Sequence, residues 1–260
     1  MNALQKIIDW KNTEIKSLNE AQGIDKTLAS GRSFSLHDLE SSLQEPGMQI
    51  IAEVKRKSPS EGDILGEQDI VDIACQYERA GAAAISVLTD YNFFGGSIED
   101  LKLVKAAVDI PVLRKDFIID RRQVEESYLA GADAILLIAD VLSPETLVEL
   151  HTYCENLGMG ALVEMHDMSN LDKVLALQPE IVGFNARDLT TMKTDIKEFE
   201  SVIDSLPRAA KVAESGINTA EDLAWVARLG YEAALIGTSL LKSDSPAGLL
   251  AEMLEEARDI

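Results

Sequence analysis

From Ile50 to its end the chain alternates short, unbroken apolar runs with longer segments in which apolar residues recur every three to four positions. Short runs rich in Val, Ile, Leu and Ala fit strands buried on both faces, and the segments between them fit amphipathic helices. Eight such runs occur: Ile50–Lys55, Ala84–Thr89, Pro111–Lys115, Ala134–Ala139, Ala161–Glu164, Ile181–Asn185, Lys211–Glu214 and Ala234–Gly237. Helices are expected near 67–80, 97–108, 121–130, 144–156, 168–177, 195–205, 219–229 and 247–258. This is the order of parallel strands joined by crossover helices. Gly81, Gly131 and Gly230 each follow a helix pattern and precede a strand pattern, at spacings of 50 and 99 residues. Each suits a left-handed helix cap. Repeating units of one size favour a closed (β/α)8 barrel over an open doubly wound sheet, and no GxGxxG follows any strand. Ahead of the first strand, Leu4, Ile7, Ile8, Trp10, Ile15 and Leu18 form an apolar stripe with charges between them, the mark of an amphipathic helix. The expected organisation is therefore α/β: one (β/α)8 barrel domain over residues 1–260, with residues 1–45 as an N-terminal helical extension packing on the barrel.

Composition narrows the partners. The 260 residues carry 45 acidic and 24 basic side chains, a net charge of -21. Such a surface disfavours nucleic acid and repels phosphorylated metabolites at long range, so any anion site must be built locally from bases and backbone amides. The cluster Lys55-Arg56-Lys57 stands out for that reason. Cys75 and Cys154 lie far apart in helix-like segments without CxxC spacing, which predicts free thiols in a reducing, cytoplasmic setting. No stretch is long and apolar enough to span a bilayer, and the N-terminus has no apolar signal core. A monomer is expected rather than an obligate oligomer.

Strand alternation puts Ile51, Glu53, Lys55 and Lys57 on one face of the first strand, and Ala52, Val54 and Arg56 on the other. Ser58-Pro59-Ser60 then ends the strand. Taken alone this could be an edge strand guarded by charges. The other strands argue for a site, because their polar residues also fall at the C-terminal ends, where barrels of this kind build their chemistry: Arg114-Lys115-Asp116, Glu164, Asn185 with Arg187, and Glu214-Ser215. Burial beside another cation would lower the pKa of Lys55 and Lys115 and fit them for proton transfer, while Glu53, Glu164 and Glu214 could fix those lysines or act as bases. The three histidines, His37, His151 and His166, are scattered, so neither a metal nor another cofactor is implied. Gly216 and Gly237-Thr238, after the last two strands, suit a phosphate site.

Ile51-Ala52-Glu53-Val54-Lys55-Arg56-Lys57-Ser58-Pro59-Ser60, Leu113-Arg114-Lys115-Asp116-Phe117-Ile118, Gly131-Ala132-Asp133-Ala134-Ile135-Leu136-Leu137-Ile138, Leu162-Val163-Glu164, Gly183-Phe184-Asn185-Ala186-Arg187-Asp188-Leu189 and Val212-Ala213-Glu214-Ser215-Gly216-Ile217 together resemble the indole-3-glycerol phosphate synthase family, TIM-barrel enzymes of tryptophan biosynthesis. The resemblance implies a phosphorylated small-molecule substrate, 1-(2-carboxyphenylamino)-1-deoxyribulose 5-phosphate, which is cyclised, decarboxylated and dehydrated. It implies Lys115 as the acid at the ketone oxygen, Lys55 on the substrate carboxylate, either Lys55 or its partner Glu53 serving the dehydration, and Glu164 as the later base. Asn185, Arg187, Glu214 and Ser215 would orient substrate and lysines. Phosphate would sit at Ser58, Gly216, Gly237 and Thr238 with Lys57, and the aryl ring between Phe94, Phe117 and Leu136, with Gly95-Gly96 giving a mobile loop. Two positions depart from the family pattern: Ala186 replaces a polar residue, and Arg121-Arg122 replaces a proline–aromatic pair, which bears on substrate affinity. Rival expectations are a Schiff-base aldolase using either lysine and a non-catalytic phosphometabolite-binding barrel.

Overall fold

A computed structural model describes residues 3–21, 31–59, 61–66, 68–188, 191, 193–258 and 260. The eight apolar runs become eight strands: β1 Gln49–Val54, β2 Ala84–Leu88, β3 Val112–Lys115, β4 Ala134–Ile138, β5 Gly160–Met165, β6 Ile181–Asn185, β7 Ala210–Glu214 and β8 Ala233–Ile236. All pair in parallel and in chain order, and β8 returns to β1 to close the barrel. Every end lies within one residue of the expected position. With β1 paired on both sides, Glu53 and Lys55 guard no edge.

Two apolar layers follow from strand alternation. Ile51, Leu113, Leu136, Leu162 and Val212 fill the barrel interior, and Leu39 and Leu43 of the short helix Leu39–Leu43 belong to the same cluster. Ile50, Ala52 and Val54 face the other way and join the layer between strands and helices. The helices Ile70–Arg79, Ile98–Ala107, Arg121–Ala130, Pro144–Asn156, Leu171–Leu177, Glu198–Val202, Ala220–Leu229 and Pro246–Glu256 supply the outer half of that layer. Gly81, Gly131 and Gly230 take the left-handed conformation expected of them, with φ of 100°, 99° and 99°.

Several elements differ from expectation. The segment 195–205 is helical only over Glu198–Val202, followed by a 3-10 turn. Asp195 holds back the start: its amide donates to Ala186 O, and its carboxylate accepts the Lys197 amide. After β1 the chain folds into a hairpin, Lys57–Ser58 against Gly62–Asp63, and the short helices Tyr91–Phe94 and Thr238–Lys242 were not foreseen. Of the expected N-terminal helical extension, Ala3–Ala21 and Leu39–Leu43 are helical; residues 22–30 lie outside the described residues. Arg32 pins the non-helical stretch between them, donating to Gly131 O at 2.8 Å and to Asp133 Oδ1 at 3.0 Å.

The expected stripe of the first helix holds a surprise. Ile7 and Ile15 are buried, Trp10 is exposed, and between the two isoleucines on the same face lies the fully buried Lys11. Its Nζ reaches Asp116 at 2.8 Å, Asp90 at 3.0 Å and Glu14 at 3.1 Å. Burial alone would pull this lysine down, but the surrounding carboxylates outweigh it and hold Lys11 above its ordinary value. Arg114, fully buried beside it in the sheet, donates to Asp116 Oδ2, Gln123 O and Ser127 Oγ. Arg114 and Asp116, grouped with the site from the sequence, thus form a buried scaffold joining β3, the first helix and the helix Arg121–Ala130.

Asp116 gives this scaffold an acid-sensitive character. Burial raises its pKa, yet Arg114 and Lys11 bring it down from 3.8 to about 2. A carboxyl depressed on folding contributes stability that is present above its unfolded value and is lost as the pH falls through its folded one. About 2 kcal/mol of stability from this group is therefore expected to disappear between about pH 4 and about pH 2. Denaturant midpoints measured across that window should fall steeply for the natural chain and less steeply for Asp116→Asn.

Candidate active site

The C-terminal ends of the strands open into one pocket of about 1040 Å³, counting its open mouth. Its wall contains Glu53, Lys55, Ser58, Phe94, Lys115, Phe117, Leu136, Glu164, Asn185, Arg187, Glu214, Ser215, Gly216, Gly237 and Thr238. Of the residues expected at the site, Lys57 and Arg114 are not part of this wall. Because β1 ends at Val54 and the hairpin turns the chain aside, the alternation expected to carry Lys57 inward does not reach it. Its ammonium instead donates to Asn92 O at 3.3 Å, and its stem lies against Gly95.

Two lysine–carboxylate groups occupy the pocket floor. Lys55 Nζ donates to Glu53 Oε1 at 2.6 Å. Lys115 Nζ donates to Glu164 Oε2 at 2.8 Å and lies 3.4 Å from Glu214 Oε2. The expectation that Lys115 would have a lowered pKa is reversed. Burial does push it down, but Glu164, Glu214 and Glu53 act against burial and raise it above the ordinary lysine value. Its neighbours are carboxylates, and no second cation is among the groups that shift it.

The two glutamates that share Lys115 part ways. Burial raises Glu164, but Lys115 and then His166 outweigh it, so Glu164 is held below the usual carboxylate range. Glu214 is raised well above it by burial and by the charge on Glu164. The group closer to the ammonium gives up its proton more readily, and the other holds its proton to higher pH. An amide mimics a protonated carboxyl, so Glu214→Gln is expected to retain activity within about tenfold, whereas Glu164→Gln should lose about 10²-fold or more. Comparing kcat of the two variants checks this.

Glycines make room for these carboxylates. A Cβ at Gly183 would collide with Glu214 Oε1, and one at Gly237 with Glu53 Oε1. Gly237, read from sequence as a phosphate-site glycine, therefore has a packing reason as well; Gly183 gave no signal. Ser215 adopts a φ of 71°, in the left-handed region that only a minority of non-glycine residues occupy, and Gly216 follows at 86°. Ile196 and Thr194 press on Gly216, and Ser239 Oγ donates to Ile217 O, which fastens the loop after β7 to the one after β8.

At the other side of the mouth Phe94 and Phe117 stand with ring centroids 6.3 Å apart. Asp90 caps the helix Tyr91–Phe94 by accepting the Phe93 amide at 2.7 Å. Gly95 ends that helix with a φ of 68°, and a Cβ at Gly96 would strike the Leu88 carbonyl. The glycine pair, expected as the mark of a mobile loop, is thus demanded by a left-handed cap and a close backbone approach. The departures from the family pattern lie off the pocket. Ala186 is buried, Arg121 stacks over Tyr153 at 3.9 Å, and Arg122 pairs with Asp120 at 2.6 Å.

Two contributors were missed from the sequence. His166 lines the pocket, with Nε2 3.3 Å from Glu164 Oε1 and Nδ1 3.4 Å from Asp140 Oδ2. Its signal was available: it stands two residues after Glu164 at the end of β5, so alternation brings it back to the inner face. Lys11 could have been noticed as a charge within the apolar spacing Ile7, Lys11, Ile15.

A family model described as indole-3-glycerol phosphate synthase matches residues 4–253 of the chain. The chain belongs to the indole-3-glycerol phosphate synthase family. An indole-3-glycerol phosphate synthase of Geobacillus kaustophilus is 50% identical over 245 residues, covering 93% of this chain and 92% of the relative. One from a Geobacillus species is 42% identical over 99% of this chain and 98% of the relative, and one from Bacillus velezensis is 45% identical over 93% and 95%. Among solved structures, 3-hexulose-6-phosphate synthase of Salmonella typhimurium superposes with a TM-score of 0.65 at 13% identity, covering 81% of this chain and 98% of that one. N-acetylmannosamine-6-phosphate 2-epimerase of Clostridium perfringens gives 0.61 at 17% identity, covering 78% and 90%. At those identities the two structures share the barrel fold alone. Indole-3-glycerol phosphate synthases are decarboxylating lyases of tryptophan biosynthesis.

Proposed function

We propose that this pocket converts 1-(2-carboxyphenylamino)-1-deoxyribulose 5-phosphate to indole-3-glycerol phosphate, carbon dioxide and water, with the following division of labour. Lys115 protonates the ketone oxygen as the aryl ring attacks and, recharged, protonates the resulting hydroxyl again as it leaves as water. Lys55, paired with Glu53, holds the carboxylate that leaves as carbon dioxide. Glu164 removes the carbon-bound proton that restores the aromatic indole. Asn185, Arg187 and Ser215 orient the substrate, and Glu214, as a neutral acid, keeps Lys115 aimed. Ser58, Gly216, Gly237 and Thr238 take the phosphate, and Phe94, Phe117 and Leu136 take the aryl ring. Residues 1–260 act as one barrel unit with residues 1–45 packed on it, working as a monomer in the cytoplasm. Support for the cytoplasmic setting is that Cys75 and Cys154 are free thiols.

The observation that carries the chemistry is the pairing of Lys115 with Glu164 at 2.8 Å in a site that raises the lysine. A lysine held as an ammonium is a proton donor; an amine nucleophile would need the opposite shift. Borohydride added during turnover separates the two. The acid–base reading expects no covalent adduct on Lys115 or Lys55 by mass spectrometry, and a trapped imine on either would replace it with an aldolase-like mechanism.

A further inference from the structure

The proposed reaction has a proton balance that the lysines and glutamates do not close by themselves. The substrate carboxylate leaves as neutral carbon dioxide and a hydroxyl leaves as water. Ring closure and dehydration each consume a proton, and formation of the indole returns only one of them. Every turnover therefore draws a net proton from solvent into a pocket whose acid, Lys115, is only 13% exposed and engaged with Glu164 and Glu214. Some group must bring that proton to the pair.

A line of polar atoms at spacings of 2.8 to 3.4 Å leads to it. Lys115 Nζ lies 2.8 Å from Glu164 Oε2, Glu164 Oε1 lies 3.3 Å from His166 Nε2, and His166 Nδ1 lies 3.4 Å from Asp140 Oδ2. His166 is 5% exposed, neither ring nitrogen has a hydrogen-bond partner, and the ring forms part of the pocket wall. Catalytic hydrogen bonds are often this long before substrate arrives and shorten in the complex. Asp140, on the loop after β4, is fixed independently: it accepts the backbone amides of His166 at 2.9 Å and Asp167 at 3.1 Å, and the Asn170 amide at 3.0 Å. Three donors thus aim one carboxylate at the far side of the imidazole. The groups facing the ring are Asp140 and Glu164, with Lys115 and Glu214 beyond Glu164 and Asp167 next in the chain.

We propose that His166, held by Asp140, is the proton store that resets the Lys115–Glu164 pair in each turnover; this rests on the function proposed above. With a proton on each nitrogen, the imidazole presents one N–H to each flanking carboxylate. It releases the Nε2 proton to Glu164 Oε1, and a half-turn of that carboxyl carries the proton to the neutral amine of Lys115. His166 remains as the neutral ring with its Nδ1 proton on Asp140. When product leaves, water in the open pocket returns a proton to Nε2. His166 touches no reacting atom in this scheme, so it is a positioning and relay residue that acts through Glu164.

The test uses the full chain with the carboxyphenylamino-deoxyribulose phosphate, enzyme in excess, so that product release does not mask proton delivery. His166→Ala is expected to slow the single-turnover rate about tenfold or more with KM within about twofold. Added imidazole should restore part of the rate, and the solvent deuterium isotope effect should rise as proton delivery becomes limiting. His166→Asn, which fills the space and cannot carry a proton, should show the same loss, so a packing defect in the alanine variant is distinguished. Unchanged rates in both variants, or a loss that neither responds to imidazole nor alters the isotope effect, would overturn the proposal while leaving the reaction assigned. A natural chain with no turnover would instead overturn the function on which it rests.

Discussion

A Lys115→Met chain is expected to lose turnover by about 10²-fold at the least, while its affinity for substrate stays within about tenfold. Methionine matches the length and width of the lysine stem, so the pocket keeps its shape and loses only the ammonium. That ammonium donates to Glu164 and is raised by three carboxylates, an arrangement that keeps the proton on it until an acceptor arrives. In the proposed reaction substrate binding draws on other groups of the pocket wall: the loops around Gly216 and Gly237 for the phosphate, the aromatic pair Phe94 and Phe117, and Lys55. Turnover and binding should therefore separate. A variant that loses binding in proportion to rate would make Lys115 a ligand-holding cation, and one that keeps its rate would favour a barrel that binds phosphometabolites without transforming them. Rapid-quench rates and equilibrium titration on the same preparation distinguish these outcomes.

Lys11→Met is expected to destabilise the chain by about 3–5 kcal/mol. Lys11 compensates the fully buried Asp90 and shares the fully buried Asp116 with Arg114, so its removal leaves Asp90 without its cation and Asp116 with Arg114 alone. For a domain of this size that is a fall in Tm on the order of 10 °C. The loss should also reach the pocket. Asp90 caps the helix carrying Phe94, and Asp116 follows Lys115 at the end of β3. Loosening both is expected to lower kcat/KM. The double variant Lys11→Met with Asp116→Asn should cost less than the sum of the single changes, because removing one buried charge relieves the other. Thermal unfolding of the four chains gives the coupling directly, and additivity would show that the ion pair is not what ties the first helix to the barrel.

Much of this was legible in the chain. Buried parallel strands are apolar on both faces, so β1 to β8 announce themselves as short runs, and polar residues at their C-terminal ends stand out because nothing else in those runs is polar. Glu53, Lys115, Glu164 and Glu214 were readable for that reason. Less visible were features that depend on what lies across the barrel. The direction of the Lys115 shift follows from its being ringed by glutamates of β1, β5 and β7, which no local pattern states. Gly183 is required by the side chain of Glu214 on the neighbouring strand. Lys57 was misplaced because a two-residue hairpin strand breaks the alternation just where Pro59 promises a loop. Lys11 looked like an ordinary charge on an amphipathic helix; its partners lie about 80 and 105 positions away.

The most direct test of the central assignment is to incubate the full chain with 1-(2-carboxyphenylamino)-1-deoxyribulose 5-phosphate and follow indole fluorescence together with released carbon dioxide. The pocket described above predicts that both rise together, in equal amounts, and that Lys115→Met and Glu164→Gln suppress both. Binding of the substrate without indole formation, or carbon dioxide released without it, would contradict the assignment of this pocket to ring closure, decarboxylation and dehydration.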